Sequence, residues 1–284
     1  GLPGLIVDYY DGVAVCQFHT VGSYRFKDDI AKALKEVLGL RLTGIYDKSA
    51  ETLPFKAQVP HENSTVWGDV SPRVISEYGC KFSVDWVEGQ KTGFFLDQRE
   101  NRKLVEQYSK GKSVLNMFCY TGGFSVYAIR GGATKVVSVD SSKKAIDLTN
   151  ENVSLTFGLK APHHKALAVD AFDYMKDIDG QFDLIILDPP AFAKHQNVLD
   201  NALQAYKRLN AKAFKAIKPN GILFTFSCSQ VVSRENFRKS VFAAAANAGR
   251  NVRILHQLTQ PADHCFSIYH PEGEYLKGLV LFVE

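Results

Sequence analysis

Five apolar runs in the later part of the chain each end in residues able to do chemistry. Val114–Phe118 leads into Cys119-Tyr120-Thr121-Gly122-Gly123. Val136–Asp140 stops at a carboxylate followed by Ser141, and Leu167–Asp170 stops at another followed by Ala171. Leu184–Asp188 continues as Pro189-Pro190-Ala191-Phe192, and Ile222–Ser227 as Cys228-Ser229. Two glycines where a strand turns into a helix let the backbone approach a ligand closely. The three-glycine pattern that cradles a dinucleotide pyrophosphate is absent, which argues against a nicotinamide enzyme. Gly111-Lys112-Ser113 imitates the end of a triphosphate loop, but Glu106 stands where the earlier glycine is required and the motif precedes a strand.

Asp140 lies 18 residues beyond Gly122, where a carboxylate can accept from both hydroxyls of a ribose. Asp170 and Ala171 stand where an adenine amino group would be met. A glycine turn, a ribose acid and a third-strand acid, without a diphosphate cradle, suit S-adenosylmethionine. Each is also explicable locally, because Asp closes many strands as a helix cap. Pro189 and Pro190 end strand pairing and stiffen the backbone, holding Asp188 at the ligand edge. Cys228 follows its strand between two serines and would face Asp188 if the two strands are neighbours. Free cysteine is often simply buried, so a core role for Cys228 stays open at this level.

These residues need a scaffold, and the pattern supplies one. Helix-length segments (Phe124–Arg130, Lys143–Phe157, Leu199–Ile217) lie between most of the apolar runs. Strands buried on both faces and alternating with helices imply an α/β domain with a parallel, doubly wound sheet. Val252–Leu258 and Leu279–Val283 follow without a clear crossover helix, which predicts an antiparallel closing hairpin. Ahead of them, Leu5–Tyr9 and Val13–Phe18 flank the hairpin signal Asp11-Gly12. Tyr24–Leu38 has helical periodicity, Gly44–Asp47 and Ile75–Trp86 read as strands, and the proline-bearing stretch Ser49–Pro72 reads as loop. A small α+β domain over residues 1–90 and a catalytic domain over 91–284 are therefore expected.

The 284 residues are 45% hydrophobic and 23% charged, with no apolar stretch of membrane-spanning length, so a globular, cytoplasmic, membrane-free protein is expected. Five well-separated cysteines show no zinc spacing, so no metal is expected. The net charge of +4 is mild, yet Lys194–Lys218 carries six bases against Asp200. Such a face would suit a polyanion such as RNA, or be a solvated helix surface.

The segments GLPGLIVDYYDG, GQKTGFFLDQRENR, VLNMFCYTGGFSVYA, VVSVDSSKKAID, FDLIILDPPAF, FTFSCS, PADH and PEGEYLKG resemble, in this order and over nearly the whole chain, the bacterial RlmI family. The family comprises S-adenosylmethionine-dependent methyltransferases that make 5-methylcytosine in large-subunit ribosomal RNA. The resemblance implies a class I methyltransferase fold, Rossmann-like with a seven-stranded sheet, preceded by the small α+β domain. It also implies an RNA-binding PUA domain upstream, consistent with a chain that starts at Gly1 in mid-sequence. Ala191 departs from the lysine usual after DPP, and Cys265 from the proline usual after ADH.

By this resemblance Cys228 is the nucleophile that adds to carbon 6 of a cytosine, and Asp188 holds the base's N3 and amino edge. Gln98, Phe118, Tyr120, Thr121, Gly122, Gly123, Asp140, Ser141, Asp170, Ala171 and Asp188 would hold the cofactor. Arg99, Pro189, Pro190, Phe192 and Tyr206 would meet the substrate, with Tyr206 and Lys207 on the RNA side. His163 and His164 are expected to face solvent, and His264 to be a structural hydrogen bonder. Ribosomal RNA is the expected partner, with a homodimer left open. Two other readings stand beside this one. An amino-group methyltransferase could use Asp188-Pro189-Pro190 with Phe192 stacking, without a thiol, and a non-catalytic RNA-binding factor could retain the fold.

Overall fold

The computed structural model describes residues 2–54, 62–158, 161 and 163–284, and these fall into two compact units, Gly1–Leu96 and Asp97–Glu284. In the first unit, β1 (Leu5–Tyr10) and β2 (Val13–Phe18) form the hairpin turned at Asp11-Gly12. Helix α1 (Val21–Arg25) is capped by Thr20, and α2 (Lys27–Leu38) follows it. β3 (Gly44–Asp47) pairs with β2, and β4 (Ser64–Gly68) pairs with β3, completing a four-stranded sheet. β4 lies inside the stretch read as loop, part of which (55–61) is outside the described residues. Its burial pattern is mostly exposed, so it lacks the apolar alternation that marks a half-buried strand.

The run read as one strand at Ile75–Trp86 is two, β5 (Arg73–Glu77) and β6 (Cys80–Val84), folded back at Tyr78-Gly79. Both turn residues have positive φ, 48° and 85°, as the two central residues of a type I′ turn require. Asp47 is fully buried, accepts a hydrogen bond from Ser49 and pairs with Lys27 at 3.3 Å. A buried carboxylate needs such partners to offset its lost hydration.

The second unit opens with α3 (Arg99–Tyr108) and then alternates strand and helix. β7 (Ser113–Met117), α4 (Gly123–Arg130), β8 (Lys135–Asp140), α5 (Lys143–Phe157), β9 (His164–Ala168) and the short α6 (Ala171–Tyr174) form its first half. β10 (Phe182–Leu187), α7 (Leu199–Ala216), β11 (Ile217–Ser227), α8 (Arg234–Ala248), β12 (Val252–Leu258) and β13 (Lys277–Val283) form its second. The seven strands lie in the order β12-β13-β11-β10-β7-β8-β9. β7, β8, β9, β10 and β11 are parallel to their neighbours in that block, and β13 is antiparallel to both β11 and β12.

This is the class I methyltransferase sheet, and its order decides where a ligand can sit. The chain winds outward through β7, β8 and β9, then returns to place β10 on the other side of β7. The carboxyl ends of β7 and β10 therefore flank the topological switch point, where doubly wound sheets bind ligands. Buried side chains on both faces hold the sheet: Leu115, Ile185 and Leu223 in one cluster, Val114, Leu184 and Phe224 in the other. α8 had no clear signature in the sequence, because its alanine-rich stretch lacks a stripe of large apolar residues. It is anchored by Phe237, Val241 and Ala244 against the same core as α7.

Candidate functional site at the switch point

The turn after β7 is built tightly. Phe118, Tyr120 and Gly122 all take positive φ, 58°, 47° and 78°. Two non-glycine residues in this region within five positions are uncommon, and such backbone persists only where surroundings enforce it. The enforcing bonds are visible. The Cys119 N–H donates to the Val139 carbonyl at 3.0 Å, and the Tyr120 N–H donates to Asp140 Oδ2 at 3.0 Å. From α5, Thr149 Oγ1 donates to the Tyr120 carbonyl and Asn152 Nδ2 to the Thr121 carbonyl, at 2.9 and 2.8 Å. A Cβ built on Gly122 would lie 2.7 Å from Thr149 Cγ2, so no side chain fits there.

Asp140 ends β8 half-buried, its other oxygen accepting from the Ser142 N–H at 2.9 Å, and Ser141 beside it is exposed. Asp170 is exposed and Oδ1 caps α6 by accepting from the Phe172 and Asp173 N–H groups. Ala171, immediately after it, is buried.

On the other flank, Asp188 follows β10 half-buried, and Gln98 Nε2 donates to its Oδ2 at 3.0 Å. The amide of Gln98 is itself oriented by Asn101, whose Nδ2 donates to Gln98 Oε1 at 2.6 Å. Asp97, Gln98, Asn101 and Arg102 are all buried at the start of α3, a concentration of polar groups that a core would not contain without use. Tyr275 donates its hydroxyl to Asp97 Oδ2 at 2.7 Å, while Asp97 Oδ1 is buried without a hydrogen-bond partner. Nothing in the sequence singled out Asp97. Its only signal was a carboxylate placed just ahead of Gln98.

β10 and β11 are paired in parallel, with Leu187 opposite Thr225, so Asp188 and Cys228 leave the sheet at one edge. Cys228 is partly exposed, and its Sγ lies 4.0 Å from the Pro189 carbonyl oxygen. Its flanking serines are buried. Ser227 Oγ donates to the Tyr206 hydroxyl at 2.9 Å, Ser229 Oγ lies 3.1 Å from the same hydroxyl, and the Ala193 N–H donates to Ser229 Oγ at 3.3 Å.

Tyr206, expected on the RNA side, is fully buried against Phe192 and Phe237, with ring centroids 4.7 and 5.4 Å away. The expectation is corrected: Tyr206 props the Cys228 loop from below. The phenol found a polar role inside the core because two serine hydroxyls there needed a partner. Burial pushes the Tyr206 hydroxyl pKa above its ordinary value, and the neighbouring Cys228 adds to this.

Phe192 is half-buried, Pro189 buried and Pro190 exposed. Arg99 is half-buried and forms an ion pair with Asp263 at 2.7 Å, in the connection between β12 and β13. The solvent-facing expectation for His164 is also corrected. It lies on β9, 2.8 Å from Ser138 Oγ, and burial pushes its pKa down to about 4. Ser138 in turn contacts Ser125, which accepts from Asn116, a buried polar chain under the sheet.

Lys277, for which the sequence suggested no role, sits at the first position of β13, opposite Ser227 in the ladder. It is 2% exposed. Its Nζ donates to the Ser229 carbonyl at 2.6 Å and the Tyr275 carbonyl at 2.7 Å.

The edge matches the chemistry of S-adenosylmethionine. That molecule presents ribose hydroxyls as donors, and the edge offers the oriented carboxylate of Asp140; an α-ammonium is a further donor, and Asp97, next to Gln98, has a buried oxygen without a hydrogen-bond partner.

Residues 63–265 match the family model for S-adenosylmethionine-dependent methyltransferases. Proteins named ribosomal RNA large subunit methyltransferase I are similar along the chain. The one from Aeromonas hydrophila is 41% identical, with 99% of this chain and 72% of the relative covered. The one from Tolumonas auensis is also 41% identical, with 99% and 71% covered. Among solved structures, a candidate methyltransferase bound to S-adenosylhomocysteine is 26% identical with a TM-score of 0.84, covering 98% of this chain and 71% of that one. The match to the family model over residues 63–265 and the relatives at 41% identity lead to one conclusion: the chain belongs to the S-adenosylmethionine-dependent methyltransferases, in the family of ribosomal RNA large subunit methyltransferase I.

Proposed function

We propose that this methyltransferase modifies large-subunit ribosomal RNA in the cytoplasm, forming 5-methylcytosine through Cys228. The observation that carries the reading is the partly exposed thiol of Cys228 on the same sheet edge as Asp188, on a neighbouring parallel strand. An amino-group methyltransferase has no use for a thiol there. The relatives' names supply the RNA class.

The cofactor would be held by the turn Phe118–Gly123, with Asp140 accepting from the ribose, Asp97 facing the ammonium, and Ser141, Asp170 and Ala171 around the adenine. When bound, S-adenosylmethionine supplies a sulfonium methyl group to a carbon nucleophile. Carbon 5 of cytosine is a weak nucleophile until carbon 6 is attacked. Addition of the Cys228 thiolate to carbon 6 breaks the ring's 5,6 double bond and moves its electron pair to carbon 5. Asp188, held by Gln98, hydrogen-bonds the amino edge and the protonated N3, which favours the ring form that accepts the thiolate. After alkylation, the carbon 5 proton passes to solvent, its bonding pair restores the double bond, and Sγ leaves as the thiolate. The base must leave any helix to reach this edge, and Arg99, Pro190 and Phe192 would meet it.

The test is a Cys228→Ala variant expressed in cells lacking the native protein, with ribosomal RNA nucleosides quantified by mass spectrometry. Loss of one 5-methylcytosine is expected. Full methylation by the variant would reject the thiol route and favour amino-group transfer at Asp188.

A further inference from the structure

The loop that carries Cys228 is held by a buried lysine, Lys277, that no part of the reading above uses. An ammonium has three N–H donors. Lys277 spends two on the carbonyls of Ser229 and Tyr275, at 2.6 and 2.7 Å, and the first of these belongs to the residue immediately after Cys228. The ladder fixes this placement, since Lys277 pairs with Ser227 across β11 and β13. The loop is therefore clamped from two sides, by the Tyr206 hydroxyl on the flanking serine side chains and by Lys277 on the backbone.

Keeping a lysine 2% exposed is costly unless its charge has a use. Two neutral carbonyls could have been satisfied by an uncharged donor. The charged groups acting on Lys277 are Cys228, Glu274 and Arg234, and Arg234 already forms an ion pair with Glu274. Of the two groups whose negative charge favours the ammonium, Glu274 has Arg234 as its ion-pair partner, and Cys228 lies on the loop that Lys277 holds.

We propose that Lys277 is the positioning cation of Cys228, stabilising its thiolate while holding the loop that aims it. The proposal rests on the reading of Cys228 as nucleophile. In the step concerned, the Sγ–H bond breaks, its proton goes to solvent, and the thiolate stays paired with the Lys277 ammonium. Burial pushes the Lys277 pKa down to about 8, while Cys228 and Glu274 pull it up, so the ammonium predominates at neutral pH.

The test is iodoacetamide labelling of the folded protein as a function of pH, read site by site by mass spectrometry, with the exposed Cys265 as the reference thiol in the same molecule. Lys277→Gln retains amide donors for the carbonyls and removes the charge, whereas Lys277→Arg keeps the charge. At pH 7, Cys228 in the Gln variant should react about tenfold more slowly than in the wild type, equivalent to one pH unit in thiolate population. The acidic limb of the methylation profile should move to higher pH by the same amount, and Arg should restore most of both. A melting temperature lowered in the Gln variant, with Cys228 labelling still superimposed on the wild type, would reduce Lys277 to a strut and overturn the proposal. Cys228→Ala run in parallel separates the two failures. Retained methylation there defeats the nucleophile reading, whatever the Lys277 variants do to labelling.

Discussion

Substituting Gly122→Ala perturbs the turn after β7 at its least adaptable point. The residue has φ of +78°, where an L side chain costs about 1–2 kcal/mol. The added Cβ would also meet Thr149 Cγ2 at 2.7 Å. Thr149 cannot swing away freely, since it is fully buried and its hydroxyl donates to the Tyr120 carbonyl. Forcing one methyl into such packing costs roughly 1–3 kcal/mol. The stiffer unfolded chain returns about 0.5 kcal/mol, for a net loss of roughly 2–4 kcal/mol. Urea unfolding of the catalytic unit measures it, and calorimetric titration with S-adenosylhomocysteine should show binding weakened by about tenfold or more as the turn is displaced. A double-mutant cycle with Thr149→Ser, which deletes Cγ2 and keeps the hydroxyl, separates the two costs. It should recover the steric part and leave about 1–2 kcal/mol of backbone strain. A Gly122→Ala protein within about 0.5 kcal/mol of wild type, with unchanged ligand affinity, would refute the account of the turn as preorganised.

Removing the buried hydroxyl with Tyr206→Phe should cost about 1–3 kcal/mol, because the Ser227 and Ser229 hydroxyls lose their shared partner. Methylation should fall while RNA affinity, measured by filter binding, stays within about twofold; a large loss of affinity would return Tyr206 to the RNA surface. His164 gives a pH signature. Its pKa is pushed down to about 4 by burial against an ordinary 6.5, so the unfolded chain binds the proton more readily between those values. The corresponding stability is complete above pH 6.5 and is lost as pH falls toward 4, by roughly 2–3 kcal/mol after allowing for partial exposure. Acid unfolding of His164→Gln should lack this component, and a variant curve parallel to wild type down to pH 4 would exclude it.

The alternation of short apolar runs with helices was legible because strands covered on both faces must be apolar throughout. The edge residues were legible because each follows such a run. Asp140, Asp188 and Cys228 needed no tertiary information to be picked out. Other features carried no local signal. Tyr78-Gly79 turns β5 into β6 within the run Ile75–Trp86 that reads as strand, and the turn depends on two left-handed residues. His164 reads as loop beside a proline, yet its ring completes a buried chain with Ser138.

By itself, then, the sequence determined the fold class, the glycine-bearing turn after the first parallel strand and the acids and thiol lined up at strand ends, since these follow from local periodicity and from which residues close a strand. Only the tertiary structure decided that β7 and β10 are neighbours and that Asp188 and Cys228 share one edge. It also decided that Tyr206 faces inward and that Lys277 reaches the Cys228 loop. Those facts depend on strand order and register between segments far apart in the chain. Pairing of that kind is fixed by how two layers of helices cover the sheet, and no window of neighbouring residues encodes it.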